Sequence, residues 1–226
     1  MPVSWRLLRW TSQGRGALGA AALSLGLLCA AQPAAAGGVE QALARLQAGD
    51  VAAAQDRLAE LAEGGDAQAM YHLGAVQHTG LAGAVDMDAA VGWYRRAAEA
   101  GSAAAQLALG ALYHKGKGVP QDQGLALEYM RQAARAGSTA AQYNLAMMHA
   151  AGLAHAQEYG AQEDLSRAYM WFSVVLRQLN VAEDRAAVEA NLEFVREQMD
   201  AGELRRGEVL LQQYLADQGS NGQEES

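Results

Sequence analysis

The sequence predicts an all-α solenoid: antiparallel helix hairpins in a row, with helical caps at both ends. Three observations carry this expectation. First, the chain repeats itself every 36 residues, since Gly65–Ala100 laid without gaps on Gly101–Ala136 matches at fourteen positions. Half of those are alanine, but the rest include the glycines at 65/101, 74/110 and 80/116, with Leu73/Leu109, His78/His114, Asp86/Asp122 and Arg95/Arg131. Second, 51% of the residues are apolar yet only 6% are aromatic, and the 226 residues hold three prolines. Such a small-residue chain suits close-packed helices better than sheets. Third, helix start and stop residues recur at the same places in each copy. Single hairpins cannot bury their apolar faces, so neighbours must stack.

The elements follow in order. Residues 1–36 read as an export signal: Arg6, Arg9 and Arg15 with no acid, the apolar run Ala17–Ala31, then Ala34-Ala35-Ala36 as a small-x-small site with cleavage after Ala36. The run falls short of the roughly 20 residues of a membrane-spanning helix, and an uncleaved anchor is the alternative. Leu28 before Cys29 is too large for a lipidation site, and no adjacent arginine pair supports a twin-arginine route. Cleavage would remove Cys29, the only cysteine, and take the net charge from −8 to −11. No stable membrane insertion is expected after cleavage.

Residues 37–64 should form a capping hairpin, Val39–Gln47 and Val51–Glu63, split by Gly49-Asp50. Repeat 1 (65–100) and repeat 2 (101–136) follow. In each, Asp66 or Ser102 caps a first helix, Gly80 or Gly116 ends it, and Asp86 or Asp122 opens a second helix that stops at Gly101 or Gly137. Ala69, Met70, Leu73 and Val76 make the buried stripe. Gly74 and Gly110 stand in mid-helix, where glycine costs about 1 kcal/mol. They call for a close helix approach, with Trp93-Tyr94, Tyr129-Met130 and Trp171-Phe172 as the bulky partners. Repeat 3 (137–180) carries a longer loop, Leu153–Asp164. Residues 181–216 should form two capping helices, Ala182–Met199 and Glu203–Leu215, and 217–226 a disordered tail.

These residues resemble the Sel1-like repeat family, a relative of the tetratricopeptide repeat, over about residues 65–180. The pattern is A-x-x-x-L-G-x-x-Y-x-x-G-x-G-V-x-x-D, followed by A-x-x-W-[YF]-x-x-A-A-x-x-G. Repeat 2 supplies Ala105, Leu109, Gly110, Tyr113, Gly116, Gly118, Val119, Asp122, Ala126, Ala133, Ala134 and Gly137, with Tyr129 for Trp. Repeat 1 has Gln77 in place of Tyr, and repeat 3 has Ala146 in place of Gly. The resemblance implies a right-handed superhelix of about three hairpins. It also implies an inner curve formed by Gln68, Tyr71, Ala75, His78 and Thr79, then Leu107, Ala111, His114 and Lys115, then Tyr143, Met147 and Ala150. A peptide or helix would dock there. The tyrosines equally suit packing between helices.

Chemistry is hard to find. The acidic balance argues against nucleic acid. His78 and His114 share a register but lie a repeat apart, too far for one metal ion, so neither a metal nor a cofactor is expected. The serines lack a nucleophile-elbow or S-x-x-K setting, and the glycines lack phosphate-loop spacing. The expectation is therefore a non-catalytic, exported, periplasmic scaffold that binds another protein or peptide, with a basic one favoured by charge steering. The alternatives are a secreted host-interaction factor and an envelope hydrolase acting on cell-wall or β-lactam substrates.

Overall fold

Capping and small-residue contacts explain why the chain folds into helices at these places. A computed structural model describes residues 37–152 and 160–221, and every regular element among them is helical. The expected export signal (1–36), Leu153–Tyr159 of the long loop, and residues 222–226 lie outside the described residues. The rest forms two compact units, 37–138 and 139–221.

The first unit holds α1 (Gly38–Gln47), α2 (Val51–Glu63), α3 (Ala67–Thr79), α4 (Met87–Glu99), α5 (Ala103–Lys115) and α6 (Gln123–Arg135). They pair as three hairpins, α1/α2, α3/α4 and α5/α6, and stack in chain order because α2 packs on α3 and α4 on α5. This is the solenoid arrangement that the repeat predicted. Asp50, Asp66, Asp86, Ser102 and Asp122 all accept hydrogen bonds from the first free N–H groups of their helices. Each such cap contributes about 1 kcal/mol. Gly80 and Gly116 end α3 and α5 at φ of +67° and +66°, a conformation in which a Cβ would clash.

The mid-helix glycines have the packing role that their recurrence called for. A Cβ on Gly74 would lie 2.7 Å from Tyr94 Cδ1 and 3.1 Å from the Ala90 carbonyl oxygen. On Gly110 it would lie 2.9 Å from Met130 Cγ and 3.1 Å from the Ala126 carbonyl oxygen. Tyr94 and Met130, one repeat apart, thus rest directly on the backbone of the preceding helix. Alanines at 54, 69, 90, 97, 105, 126 and 133 are fully buried along these seams. Alanine removes little apolar area from water, so dispersion contacts at short range supply much of the cohesion.

The second unit holds α7 (Thr139–Ala150), α8 (Gly160–Gln178), α9 (Ala182–Glu197) and α10 (Ala201–Asn221). α8 is central, packing against α7, α9 and α10. α7 and α8 are the third hairpin, with Ala146 fully buried at the register of Gly74 and Gly110. α8 begins at Gly160, inside the stretch expected to be loop. No glycine or proline follows Gly160 to stop a helix from extending back by a turn. α10 runs to Asn221, into the segment expected to be tail, because extending a helix that is already nucleated costs little per residue. Its start is a reciprocal capping box. Asp200 Oδ1 accepts from the Glu203 N–H at 2.8 Å, and Glu203 Oε2 accepts from the Asp200 N–H at 2.7 Å. α10 closes tightly on α8: Ser166 Oγ donates to the Glu203 carbonyl at 2.8 Å, and a Cβ on Gly207 would meet Tyr169 Cδ1 at 2.8 Å.

The replacement Gly110→Leu overpacks the α5/α6 seam and lowers unfolding free energy by about 1–3 kcal/mol in urea denaturation. Gly92 lies on α4, where an added Cβ meets nothing within 4 Å. Gly92→Ala therefore raises stability by up to about 1 kcal/mol in the same assay. Equal effects of the two substitutions would refute the close-approach account.

Candidate functional site

The first helices of the repeats were expected to present a groove, and the structure sorts the expected residues into two groups. Tyr71 and His78 stand one turn either side of Gly74, on the face of α3 turned to α4. Between them lies the ring of Tyr94, with 1% of its surface exposed. Its centroid is 5.8 Å from that of Tyr71, and its hydroxyl is 3.3 Å from His78 Nδ1. Both residues are thus part of the hairpin seam. The same holds in the second unit, where the Tyr143 ring meets Phe172 edge-on at 5.8 Å.

Tyr143 and Met147 also face a helix that the repeat pattern does not contain. Asn191 of α9, nearly buried, donates from Nδ2 to the Tyr143 hydroxyl at 3.1 Å and lies 3.9 Å from Met147 Sδ. The chain's own capping helix therefore occupies the part of the expected groove assigned to repeat 3. Sequence reasoning missed Asn191 because nothing in α9 repeats. Tyr214 of α10 was missed for the same reason; its hydroxyl accepts from Gln142 Nε2 at 3.2 Å, and its ring meets Trp171.

Of the remaining expected residues, Leu107 and His114 hold the registers of Tyr71 and His78, one turn either side of Gly110. Gln68 and Lys115 are exposed, while Leu107, His114, Ala75 and Ala111 are half-buried. Ala75 and Ala111 hold the same register of consecutive first helices, with Leu107 one turn before Ala111. His114 Nδ1 is 2.9 Å from Gln123 Oε1 and is oriented by it. This leaves half-exposed small and apolar side chains on α3, Ala75, and on α5, Leu107 and Ala111, with Lys115 at the end of α5.

Two contacts tie successive repeats together. Arg95 on α4 donates to the Tyr113 hydroxyl on α5 at 2.8 Å, and Tyr113 stacks on Tyr129 of α6, 5.8 Å between centroids at an interplanar angle of 7°. Lys117, in the loop after α5, lies 3.0 Å from His78 Nε2. An ammonium only donates, so Nε2 accepts and the neutral ring carries its proton on Nδ1, facing Tyr94. Burial lowers the His78 pKa, and the charges of Lys117 and Lys115 lower it further. Burial also lowers that of His72, against an opposing pull from Asp66 and Glu40. Burial, with the neighbouring Tyr71 hydroxyl, pushes the Tyr94 phenol upward.

Three serine hydroxyls are engaged in structural hydrogen bonds. Ser102 caps α5, and Ser166 and Ser173 donate to backbone carbonyls. Among the described residues no three His, Cys, Asp or Glu side chains converge as a metal site requires, and no helix is long and apolar enough to cross a membrane.

Stacked helix hairpins in a row define a helical repeat protein. The Sel1 repeat model matches residues 67–102, 103–138 and 139–173. The chain is similar to c5321, described as a protective antigen present in uropathogenic Escherichia coli strains displaying an SLR fold. The two are 32% identical with a TM-score of 0.60, over 72% of this chain and 32% of that one, so the chain spans about a third of c5321. It is also similar to a Sel1 repeat protein from Oxalobacter formigenes, 30% identical with a TM-score of 0.50, over 58% of this chain and 95% of that one. No curated protein matches it significantly. The chain belongs to the Sel1 repeat family, whose members commonly mediate protein–protein interaction and are generally non-catalytic scaffolds.

The lowered imidazole pKa values fix the sign of a pH effect. The unfolded chain's histidines titrate near about 6.5, whereas native His72 and His78 protonate at lower pH. Below that value the unfolded state binds more protons, so this contribution to stability is complete above it and is lost as pH falls through the native values. Urea midpoints should fall between about pH 7 and about pH 5, and less steeply in the His72→Gln/His78→Gln double variant. Equal slopes would contradict the assignment.

Proposed function

We propose that this chain is an exported, non-catalytic scaffold of the bacterial periplasm that docks a segment of another protein on the strip formed by α3 and α5. The observation that carries the docking reading is the half-exposed set Ala75, Leu107 and Ala111, small enough to admit a peptide or helix and bordered by Gln68, His114 and Lys115. Leu107 is the anchor, as the large apolar side chain at the centre of the strip. The export reading is supported by the sequence of residues 1–36, with its arginines, its apolar run and its small-x-small site. After cleavage, a net charge of −11 steers a basic segment toward the chain. Release from the cell as a host-interaction factor is the second reading, favoured by the likeness to c5321, a protective antigen.

Affinity capture from an envelope fraction tests the docking surface. Leu107→Glu with Ala111→Glu should remove the captured partner while leaving the helical circular dichroism unchanged, whereas Tyr143→Phe, which alters a contact already filled by Asn191, should leave capture intact. Retention of the partner by the glutamate variant would eliminate the strip. Fractionation of cells expressing the full chain, with N-terminal sequencing of the product, tests export. An unprocessed cytoplasmic chain would refute it. Hydrolysis of a wall fragment or a β-lactam by the purified chain would overturn the non-catalytic reading.

A further inference from the structure

A cleft of about 530 Å³ opens between α8 and the first half of α10. Arg167, Arg205 and Arg206 line it together with Ser166, Val209 and Leu210. These are half of the six basic residues in 139–226, a stretch that acids outnumber. Arg185 of the same unit, by contrast, is held by Glu189 at 3.0 Å and by the Leu176 carbonyl. Among the described residues Arg205 and Arg206 form no ion pair. Arg206 lies near Asp200, whose Oδ1 accepts from the N–H groups of Gly202 and Glu203.

The cleft's walls are fixed. The capping box sets the start of α10, the bond from Ser166 to the Glu203 carbonyl joins the helices, and Gly207 seats α10 on Tyr169. Val209 is 53% exposed, an apolar side chain facing water beside guanidinium groups. A site that places guanidinium forks next to an apolar patch recognises carboxylates flanked by an apolar side chain.

We propose that this cleft binds an acidic segment of a partner protein, its carboxylates on Arg205 and Arg206 and a neighbouring apolar side chain on Val209 and Leu210. The inference rests on the scaffold reading but uses a different surface from the α3/α5 strip. The two charge preferences do not conflict. They concern separate surfaces, and screening over a Debye length of some 8–10 Å lets the charges nearest each surface decide.

The test is fluorescence anisotropy of a labelled peptide of alternating glutamate and leucine, titrated with the purified chain, with the glutamine-for-glutamate peptide as control. The acidic peptide should bind, the control should not, and Arg205→Gln with Arg206→Gln should weaken binding by about tenfold or more. Val209→Ala should weaken it with the charges in place, with circular dichroism confirming that each variant is folded. Leu107→Glu should leave peptide binding unchanged, so loss of partner capture at the strip and loss of peptide binding at the cleft are separate results. Equal binding by wild type and the double glutamine variant, or no binding by wild type, would overturn the proposal. A concentration-dependent dimer that disappears on removing residues 222–226 or on Arg205→Gln would assign the cleft to a second copy's tail, and overturn it likewise.

Discussion

The repeat depends on how closely two helices approach within a hairpin. Tyr94 and Met130 lie on Gly74 and Gly110, with backbone carbonyls 3.1 Å from where a Cβ would be. That contact explains the alanine-rich core. Once the backbones are so close, the flanking positions have room only for small side chains, and alanine fills them with almost no loss of rotamer entropy. It also explains the tolerance of glycine in mid-helix, where dispersion across the seam offsets its poor propensity.

That approach also determines which side chains stay free. Because Tyr94 enters between positions 71 and 78, those positions turn inward, and Ala75 and its equivalent Ala111 stay half-exposed. The hydroxyl of Tyr94 and the ammonium of Lys117 then hold His78 in one tautomer. Arg95, Tyr113 and Tyr129 join one hairpin to the next in the same way. A surface built on such contacts is stiff, which lowers the entropic cost of binding a partner segment.

The second unit departs from pure repetition. Its third hairpin supplies the expected seam, with Phe172 against Tyr143, but α9 then covers that face through Asn191, and α10 lies along α8. Capping a repeat array requires helices whose buried face matches the last repeat and whose other face is polar. A consequence is a concave seam between α8 and α10, and the arginines of α10 line it.

The sequence by itself determined the hairpins, their boundaries in the first two repeats, the caps at Asp66, Asp86, Ser102 and Asp122, and the need for Gly74 and Gly110. These depend on local backbone chemistry and on a periodicity that one-dimensional comparison detects. Tertiary structure alone decided that Tyr71, His78 and Tyr143 are part of the hairpin seams. Residues of one helix that differ by a turn look alike in sequence, and only the entry of a side chain from another helix separates them. It alone decided, too, that Asn191 and Tyr214 reach back to α7, since contacts between residues 48 and 72 positions apart leave no periodic trace. The cleft of Arg167, Arg205 and Arg206 was invisible for the same reason: its walls come from two helices whose juxtaposition depends on a glycine at 207 and a capping box at 200.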